Sequence, residues 1–324
     1  MSFCFKDVKK NYTFTEPLLS VIIPVYNSEK TIIKCLNSVV TQTLEEIEII
    51  IINDGSTDET LSLIMDCAKS DSRIKVINNK NQGQGLSRNE GLRLAQGEYV
   101  TFIDSDDWIE PEMFEIMLDC AQKTGVDVVQ CEFLQVYENN KKPQKSCIVE
   151  NLKSNKVKVS ESNIYKLVDY KESVIMALSN FAWGRIYKKD FIIKNKIEFS
   201  SGFIGEDKAF SIECKILANG IACINKPLYN YYIRSNSSSS KSIDAIAIMD
   251  SIRYVLDKHQ LFNELKESFY KYANYLCYKQ YKKSSWDEKR ILKSKFKDYL
   301  EEKYYRAFCK KVFWKDLIKK VLKK

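Results

Sequence analysis

Asp104-Ser105-Asp106 stands at the end of the apolar run Tyr99–Ile103. Two carboxylates at i and i+2, leaving a strand into a turn, can converge on one cation, and donors that are all oxygen select a hard ion, Mg²⁺ or Mn²⁺. Taken alone, such a triplet also serves to end a strand and cap the next helix. A second acidic turn, Asn53-Asp54-Gly55-Ser56, follows the run Ile47–Ile52. Between the two, Asn81-Gln82-Gly83-Gln84-Gly85 leads into Leu86-Ser87-Arg88-Asn89. Two glycines ahead of a helix that carries an arginine suit a phosphate, held by backbone N–H groups and the guanidinium. A flexible loop is equally consistent with them. The segment is not a dinucleotide fingerprint, because Arg88 occupies the third glycine position and the loop follows the third strand rather than the first.

The elements that carry these turns are legible from periodicity. Leu19–Tyr26 reads as a buried strand, with Ser28 as N-cap of a helix whose Ile32, Ile33, Leu36, Val39 and Val40 recur at helical spacing. Ile47–Ile52 is a second strand, followed by a helix bearing Leu61, Ile64, Met65 and Ala68 that Ser56 and Thr57 can cap. Arg73–Ile77 is a third strand, Leu86–Ala95 a third helix, Tyr99–Asp104 a fourth strand, and Asp127–Phe133 a fifth; Pro111 marks the first turn of a further helix. Strands alternating with helices predict an α/β fold with a mostly parallel sheet covered on both faces, in which ligands sit beyond the carboxyl ends of the strands. Each polar cluster named above falls at such an end. Residues 138–170, rich in Lys, Asn and Ser, read as an irregular insertion. The polar run Ser235–Ser242 marks a boundary, which divides the chain into a domain of residues 1–240 and a helical, basic extension of residues 241–324.

Composition narrows the function. At 324 residues, 29% charged and 44% hydrophobic, the chain can bury a sizeable core. No apolar run approaches the roughly 18 residues of a membrane span. The opening MSFCFKDVKK has no apolar signal region, and the ten cysteines form no CxxC pair, so reduced thiols in a cytoplasmic chain are expected. A single histidine, His259, leaves little for a Ser-His-Asp arrangement or a His-rich metal site. The net charge of +8 invites a nucleic-acid reading, but residues 303–324 carry nine basic residues and one acidic, and residues 1–302 balance. No nucleic-acid partner is therefore expected. In that tail Phe313-Trp314, Leu317-Ile318 and Val321-Leu322 alternate with lysines at a four-residue repeat, which predicts an amphipathic helix docked on an anionic membrane face. Packing on the body or on a second copy of the chain, as a homo-oligomer, is the other use of such a helix.

Taken in order, strand-PVYN, strand-NDGS, NQGQGLSRNEG, strand-DSDDW and Gly205-Glu206-Asp207 resemble the glycosyltransferase family 2 enzymes, from about Pro17 to Ser238. The resemblance implies the GT-A fold, Rossmann-like with helices on both faces of the sheet, an inverting transfer of a sugar from a nucleotide-sugar donor, usually a UDP-sugar, and Mn²⁺ or Mg²⁺ as cofactor. It assigns Pro24, Val25, Tyr26 and Glu29 to the first nucleotide-contacting segment, Asp54 to the base, and Arg88 and Asn89 to the segment that closes over the diphosphate. Asp104 would face the ribose and sugar, Asp106 the metal, and Asp207, beside Glu206, would be the catalytic base. Trp183, at the head of Trp183–Lys188, matches an acceptor-side stretch shared with Glu206, and Arg234 matches a segment near the diphosphate. A glycan or lipid-linked glycan acceptor on the inner face of the cytoplasmic membrane follows from the same resemblance, as in capsule or lipooligosaccharide assembly. Two rivals stand beside it. A sugar-1-phosphate nucleotidyltransferase would carry a Gly-rich, basic loop where this chain has Pro24-Val25-Tyr26-Asn27, and a non-catalytic membrane scaffold would not need Asp54, Asp104, Asp106 and Asp207 together.

Overall fold

The computed structural model describes residues 16–139, 141–146, 148, 150, 164–167, 180–200, 205–234 and 244–321, with side chains of 164–167 and 313–321 left aside. Its N-terminal half alternates as the sequence predicts: β1 (Leu19–Val25), α1 (Ile32–Val40), β2 (Ile47–Asn53), α2 (Thr60–Ser70), β3 (Ile74–Asn78), α3 (Gln84–Leu94) and β4 (Tyr99–Phe102). β1 and β2 are buried along their whole length, as befits strands with helices over both faces. After β4 come β5 (Trp108–Ile109), α4 (Met113–Thr124), β6 (Val128–Tyr137), β7 (Gln144–Lys145), β8 (Ile164–Leu167), β9 (Arg185–Lys188), α5 (Lys189–Lys194), α6 (Glu206–Leu217) and β10 (Ile221–Ile233).

The sheet runs β3-β2-β1-β4-β9-β6-β10-β5. β3, β2, β1 and β4 are mutually parallel. The expected mostly parallel sheet continues in the long β6–β10 pair, with antiparallel strands set into it. β9 inserts antiparallel between β4 and β6, and β5, β7 and β8 also pair antiparallel, so the sheet is mixed. β10 returns to run parallel to β6 along most of its length. The insertion expected over 138–170 contributes β7 and β8, and the boundary expected at Ser235–Ser242 lies outside the described residues.

Two of the expected helix caps are used differently. The Ser28 hydroxyl does not cap α1; it donates to the Tyr26 carbonyl and shares a 2.7 Å hydrogen bond with Ser105. Ser56 and Thr57 likewise do not cap α2 but tie to Asn27, through Asn27 N–H to the Ser56 hydroxyl at 3.0 Å and Thr57 N–H to the Asn27 side chain at 2.8 Å. Asp58 receives the Thr60 N–H instead. These cross-links join the turn after β1 to the turns after β2 and β4, the three ends at which the candidate residues cluster.

The C-terminal helices α7 (Ala245–Lys258), α8 (Phe262–Lys283), α9 (Trp286–Tyr299) and α10 (Glu302–Val321) build a second core. Its foundation is α6. Phe210 and Cys214 of that helix pack into the core under the sheet, whereas Ala209, Ile212 and Ile216 pack against the extension. The joint is also polar. Buried Glu213 on α6 receives Lys258 Nζ at 2.8 Å and meets His259 Nε2 at 2.6 Å, so the lone histidine serves as a tether between the layers.

Candidate active site

Four polypeptide ends converge at the carboxyl edge of the parallel strands. After β2, Asp54 is buried; its Oδ1 accepts the Gln82 N–H at 2.8 Å and its Oδ2 the Gly83 N–H at 2.9 Å. The glycine loop thus already holds an anion, and it is the chain's own carboxylate. In the described structure the Gln82 and Gly83 N–H groups thus fix the loop to the end of β2.

α3 then carries a buried polar face across the floor of the site. Arg88, at 2% exposure, donates from Nη2 to Asp104 Oδ1 at 2.7 Å and places Nη1 3.8 Å from Glu206 Oε1. It therefore bridges the two acidic motifs from beneath. Burial alone would lower the guanidinium's pKa, but Asp104, Asp207 and Glu206 outweigh it and hold the group above its ordinary value. Among the described residues Arg88 Nε and Nη1 have no hydrogen-bond partner. Asn89 does not reach toward a ligand either. Its amide donates to the Phe199 carbonyl and accepts the Phe199 N–H, both at 2.8 Å, which pins the chain leading to α6.

Asp104 and Asp106 lie on the turn after β4. Burial, with Asp106 and Asp207 nearby, raises the Asp104 pKa against the pull of Arg88. Asp106 pairs with Arg234 at 2.6 Å, so the end of β10 reaches the turn. Asp107, which sequence reasoning passed over, is the anchor of the turn. At 1% exposure it accepts the Tyr229 hydroxyl at 2.6 Å and the Tyr232 N–H at 2.7 Å, while the Tyr229 oxygen accepts the Asp104 N–H at 3.3 Å. Burial and then Asp104 and Asp106 push its pKa well up. Nothing in the run Asp104–Asp107 marks which carboxylate turns inward; the pairing with β10, 120 residues later, decides it.

Gly205, at φ 82°, turns the chain into α6 and sets Glu206 and Asp207 in its first turn. There the helix dipole favours negative charge. Asp207 Oδ1 accepts the Lys208 N–H at 2.9 Å and stands 3.3 Å from Lys208 Nζ. Burial and then the Asp207 charge raise the Glu206 pKa. Pro24 and Val25 end β1, with the Val25 carbonyl accepting the Asp54 N–H at 2.8 Å, and Tyr26 is half exposed. Glu29 is drawn toward α2, where its carboxylate accepts the Glu59 N–H at 3.3 Å. Trp183 is not on an open surface. It is buried, stacked on Phe181 and Tyr229 with both centroid separations at 4.5 Å, and it acts on the site through Tyr229.

The donor chemistry fits a shared hard cation. Asp107 turns inward to Tyr229, which leaves Asp104 and Asp106 as the oxygen donors of the turn, and among the described residues no group of three or more His, Cys, Asp or Glu forms a cage. Such a layout suits an ion held by one or two carboxylates and by a ligand's phosphates.

Comparison with known proteins identifies the arrangement. Residues 20–177 match the model described as Glycosyl transferase family 2. EpsH of Bacillus subtilis is 36% identical over 68% of this chain and 62% of its own length. Glycosyltransferase GlyG of Streptococcus pneumoniae is 30% identical over 70% of this chain and 74% of its own. Several of these relatives are longer, and the chain spans only 36% of Glycosyltransferase GlyA of S. pneumoniae. The crystal structure of Staphylococcus aureus TarS in complex with UDP-GlcNAc superposes with a TM-score of 0.66 over 85% of this chain and 78% of that one, at 24% identity, which establishes a common fold. The chain has the GT-A fold and belongs to glycosyltransferase family 2.

Proposed function

We propose that the chain transfers a sugar from a UDP-sugar to a hydroxyl of a glycan acceptor with inversion at the anomeric carbon. One observation carries the reading: Arg88 ties Asp104 after β4 to Glu206 at the start of α6, so that Asp104, Asp106 and Asp207 border one site at the edge of the parallel strands. Asp54, at the end of β2 with β1 between it and β4, marks the side on which a base would lie. It can still accept a base N–H, since a carboxylate has about four lone-pair positions and the loop uses two.

The work divides among the residues as follows. Asp207 accepts the proton of the attacking hydroxyl, which becomes acidic as its bond to the anomeric carbon forms, and no carboxylate nucleophile is needed for a single displacement. Lys208 beside it orients that carboxylate. Arg234, paired with Asp106 and 42% exposed, stands where its guanidinium can also meet a diphosphate oxygen. Arg88 acts from below by fixing Asp104 and Glu206. A Mg²⁺ or Mn²⁺ ion bound at Asp106 would neutralise charge on the departing diphosphate.

Support for a UDP donor comes from the relatives: TarS binds UDP-GlcNAc and UDP in its crystal structures. A glycan acceptor at the cytoplasmic face of a membrane, met through the basic C-terminal segment, belongs to the same reading; no described helix is long and apolar enough to cross a bilayer. A screen of nucleotide sugars for UDP release, with and without divalent ions and candidate glycans, tests the reaction. Release from no UDP-sugar under any condition, with UDP failing to bind, would overturn it.

A further inference from the structure

The second core leaves one flank of α9 outside it. Leu292 and Phe296 turn inward, whereas Trp286, Arg290, Lys293 and Lys297 recur at spacings of four, three and four residues and share one side of the helix. All four are exposed, and Trp286, at 80%, is the most exposed large apolar side chain among the described residues. The ring does not sit on a fraying end. Ser285 caps α9 by accepting the Glu288 N–H, and the Glu288 carboxylate accepts the Ser285 N–H at 2.7 Å, so the first turn is fixed. The cations beside it are gathered. Lys289 and Lys293 lie 5.5 and 5.6 Å from the centre of the Tyr281 ring on α8, and Lys311 of α10 lies 4.8 Å from that of Tyr278, one turn earlier on α8. Phe308 of α10 meets both Tyr281 and Phe296 edge to face, which locks the three helices together at this point. Lys266, Lys271 and Arg306 on the same helices are each paired with an acid. Among the described residues no acid forms an ion pair with Lys289, Arg290, Lys293, Lys297 or Lys311. Asp287 and Asp298 stand about 100 to 120° round α9 from Trp286, away from the stripe.

We infer that this flank of α9, with Lys311 beside it, is a docking surface for an anionic lipid bilayer, in which the Trp286 ring lies among the headgroups and the cations face their negative charge. Like charges gathered without matching acids repel one another, and an anionic surface removes that cost at all five positions together. Tryptophan suits the same boundary, since its ring is apolar and its indole N–H remains in contact with water and headgroups. The long stems of lysine and arginine let the charges stay at the surface while the ring enters it. Shape favours a bilayer over a nucleic acid. The stripe is the flank of a helix, convex across its width, so a base could stack on only one face of Trp286, whereas a headgroup layer surrounds the ring. Past Lys311, α10 runs on into the segment from Phe313 whose lysines and apolar pairs alternate, so the stripe and that segment adjoin along one helix. The inference rests on the glycan-acceptor reading only for its use, which is to hold the enzyme near a lipid-borne acceptor; the binding itself does not need that reading.

Co-sedimentation of the full chain with vesicles tests it. The wild type should bind vesicles of phosphatidylglycerol and phosphatidylcholine in equal parts, less as salt rises, and should ignore pure phosphatidylcholine. Arg290→Gln, Lys293→Gln and Lys297→Gln together should weaken binding by about 100-fold, at roughly fivefold for each charge near the surface. Trp286→Ala should weaken it by about tenfold with the salt dependence kept, and Trp286→Phe should retain most of it. Lys69→Gln, Lys123→Gln and Lys226→Gln together remove the same charge from exposed positions on the other domain and should change little. Matched melting temperatures show that the variants are folded. Should the Lys293 change lower that temperature, Arg290→Gln with Lys297→Gln, both outside the tyrosine contacts, carries the test with an expected loss of about 25-fold. Equal binding to neutral vesicles, an equal loss in the distant triple variant, binding that survives both Trp286→Ala and the stripe variant, or a short DNA duplex competing the vesicles away would overturn the surface. UDP release without vesicles should be the same in every variant. Should the wild type release UDP and ignore the vesicles, this inference alone falls; should it bind them through the stripe and release no UDP, the donor reading falls instead.

Discussion

Asp207 and Glu206 are adjacent carboxylates in one helical turn, and their surroundings divide their work. Arg88 reaches toward Glu206 from the protein interior, and Gly85 lies so close that a Cβ there would come within 2.9 Å of the Glu206 side chain. Asp207 faces Lys208 and the extension. Asp207→Asn, nearly isosteric but a poor proton acceptor, should lower kcat by about 10² to 10⁴ with little change in UDP affinity. Glu206→Gln should act chiefly through stability and the position of Arg88. A crippled Glu206→Gln beside an active Asp207→Asn would move the base one residue upstream. For Asp106→Ala the expectation is a loss of metal-dependent transfer of roughly 10²-fold or more in an intact fold, because the side chain is partly exposed and its partner Arg234 is more so. Full activity of the wild type in excess chelator would remove the metal from the mechanism. Of these residues the sequence shows the type and the order. It does not show that Arg88 and Asn89 look inward, since a buried arginine and an exposed one have the same neighbours along the chain.

The elements whose residues alternate or recur within one segment were legible: β1, β2 and the helix α1 between them follow from runs such as Val21-Ile22-Ile23 and Ile49–Ile52 and from the spacing of Ile32, Leu36 and Val39. The elements whose partners are remote were not. Arg185–Lys188 is four residues long, and only its pairing with Tyr99–Thr101 on one side and Val128–Gln130 on the other makes it a strand. β10 is masked in sequence by Asn225-Lys226-Pro227, which interrupts its apolar pattern and shifts its register against β6. Within α3 the constraint is steric. At Gly91 a Cβ would collide with Cγ2 of buried Ile22, so the helix rests directly on β1. Gly91→Ala should therefore destabilise the protein by about 1 to 3 kcal/mol despite alanine's better helix propensity, and should loosen Arg88 and Asn89 with it. Chemical denaturation measures this; a stabilised Gly91→Ala would mean that α3 does not bear on the sheet in this way.

Across the whole molecule the charge and the cores divide at different places. The basic surplus begins at Lys303, but the second core does not end there: Tyr304 stacks on Tyr270 at 4.6 Å, Phe308 meets Tyr281 and Phe296 edge to face, and Val312 is buried with them. The first half of α10 is thus structural, and the choice between packing and docking concerns the amphipathic residues from Phe313 on. A chain ending after Glu302 loses three buried side chains, worth roughly 4 to 8 kcal/mol by burial, which approaches the stability of an ordinary domain. It should unfold or aggregate, and would say nothing about membranes. A chain ending after Val312 keeps that core and loses only residues 313–324, which hold five lysines and one aspartate. It should melt at the temperature of the full chain and release UDP from the same donor. If the distal segment docks on anionic lipid, this shorter chain should also lose salt-sensitive co-sedimentation with phosphatidylglycerol-containing vesicles, since each lysine near such a surface contributes about 1 kcal/mol. Retained co-sedimentation would place the contact elsewhere on the protein, and a lowered melting temperature would show that the packing of α10 extends past Val312.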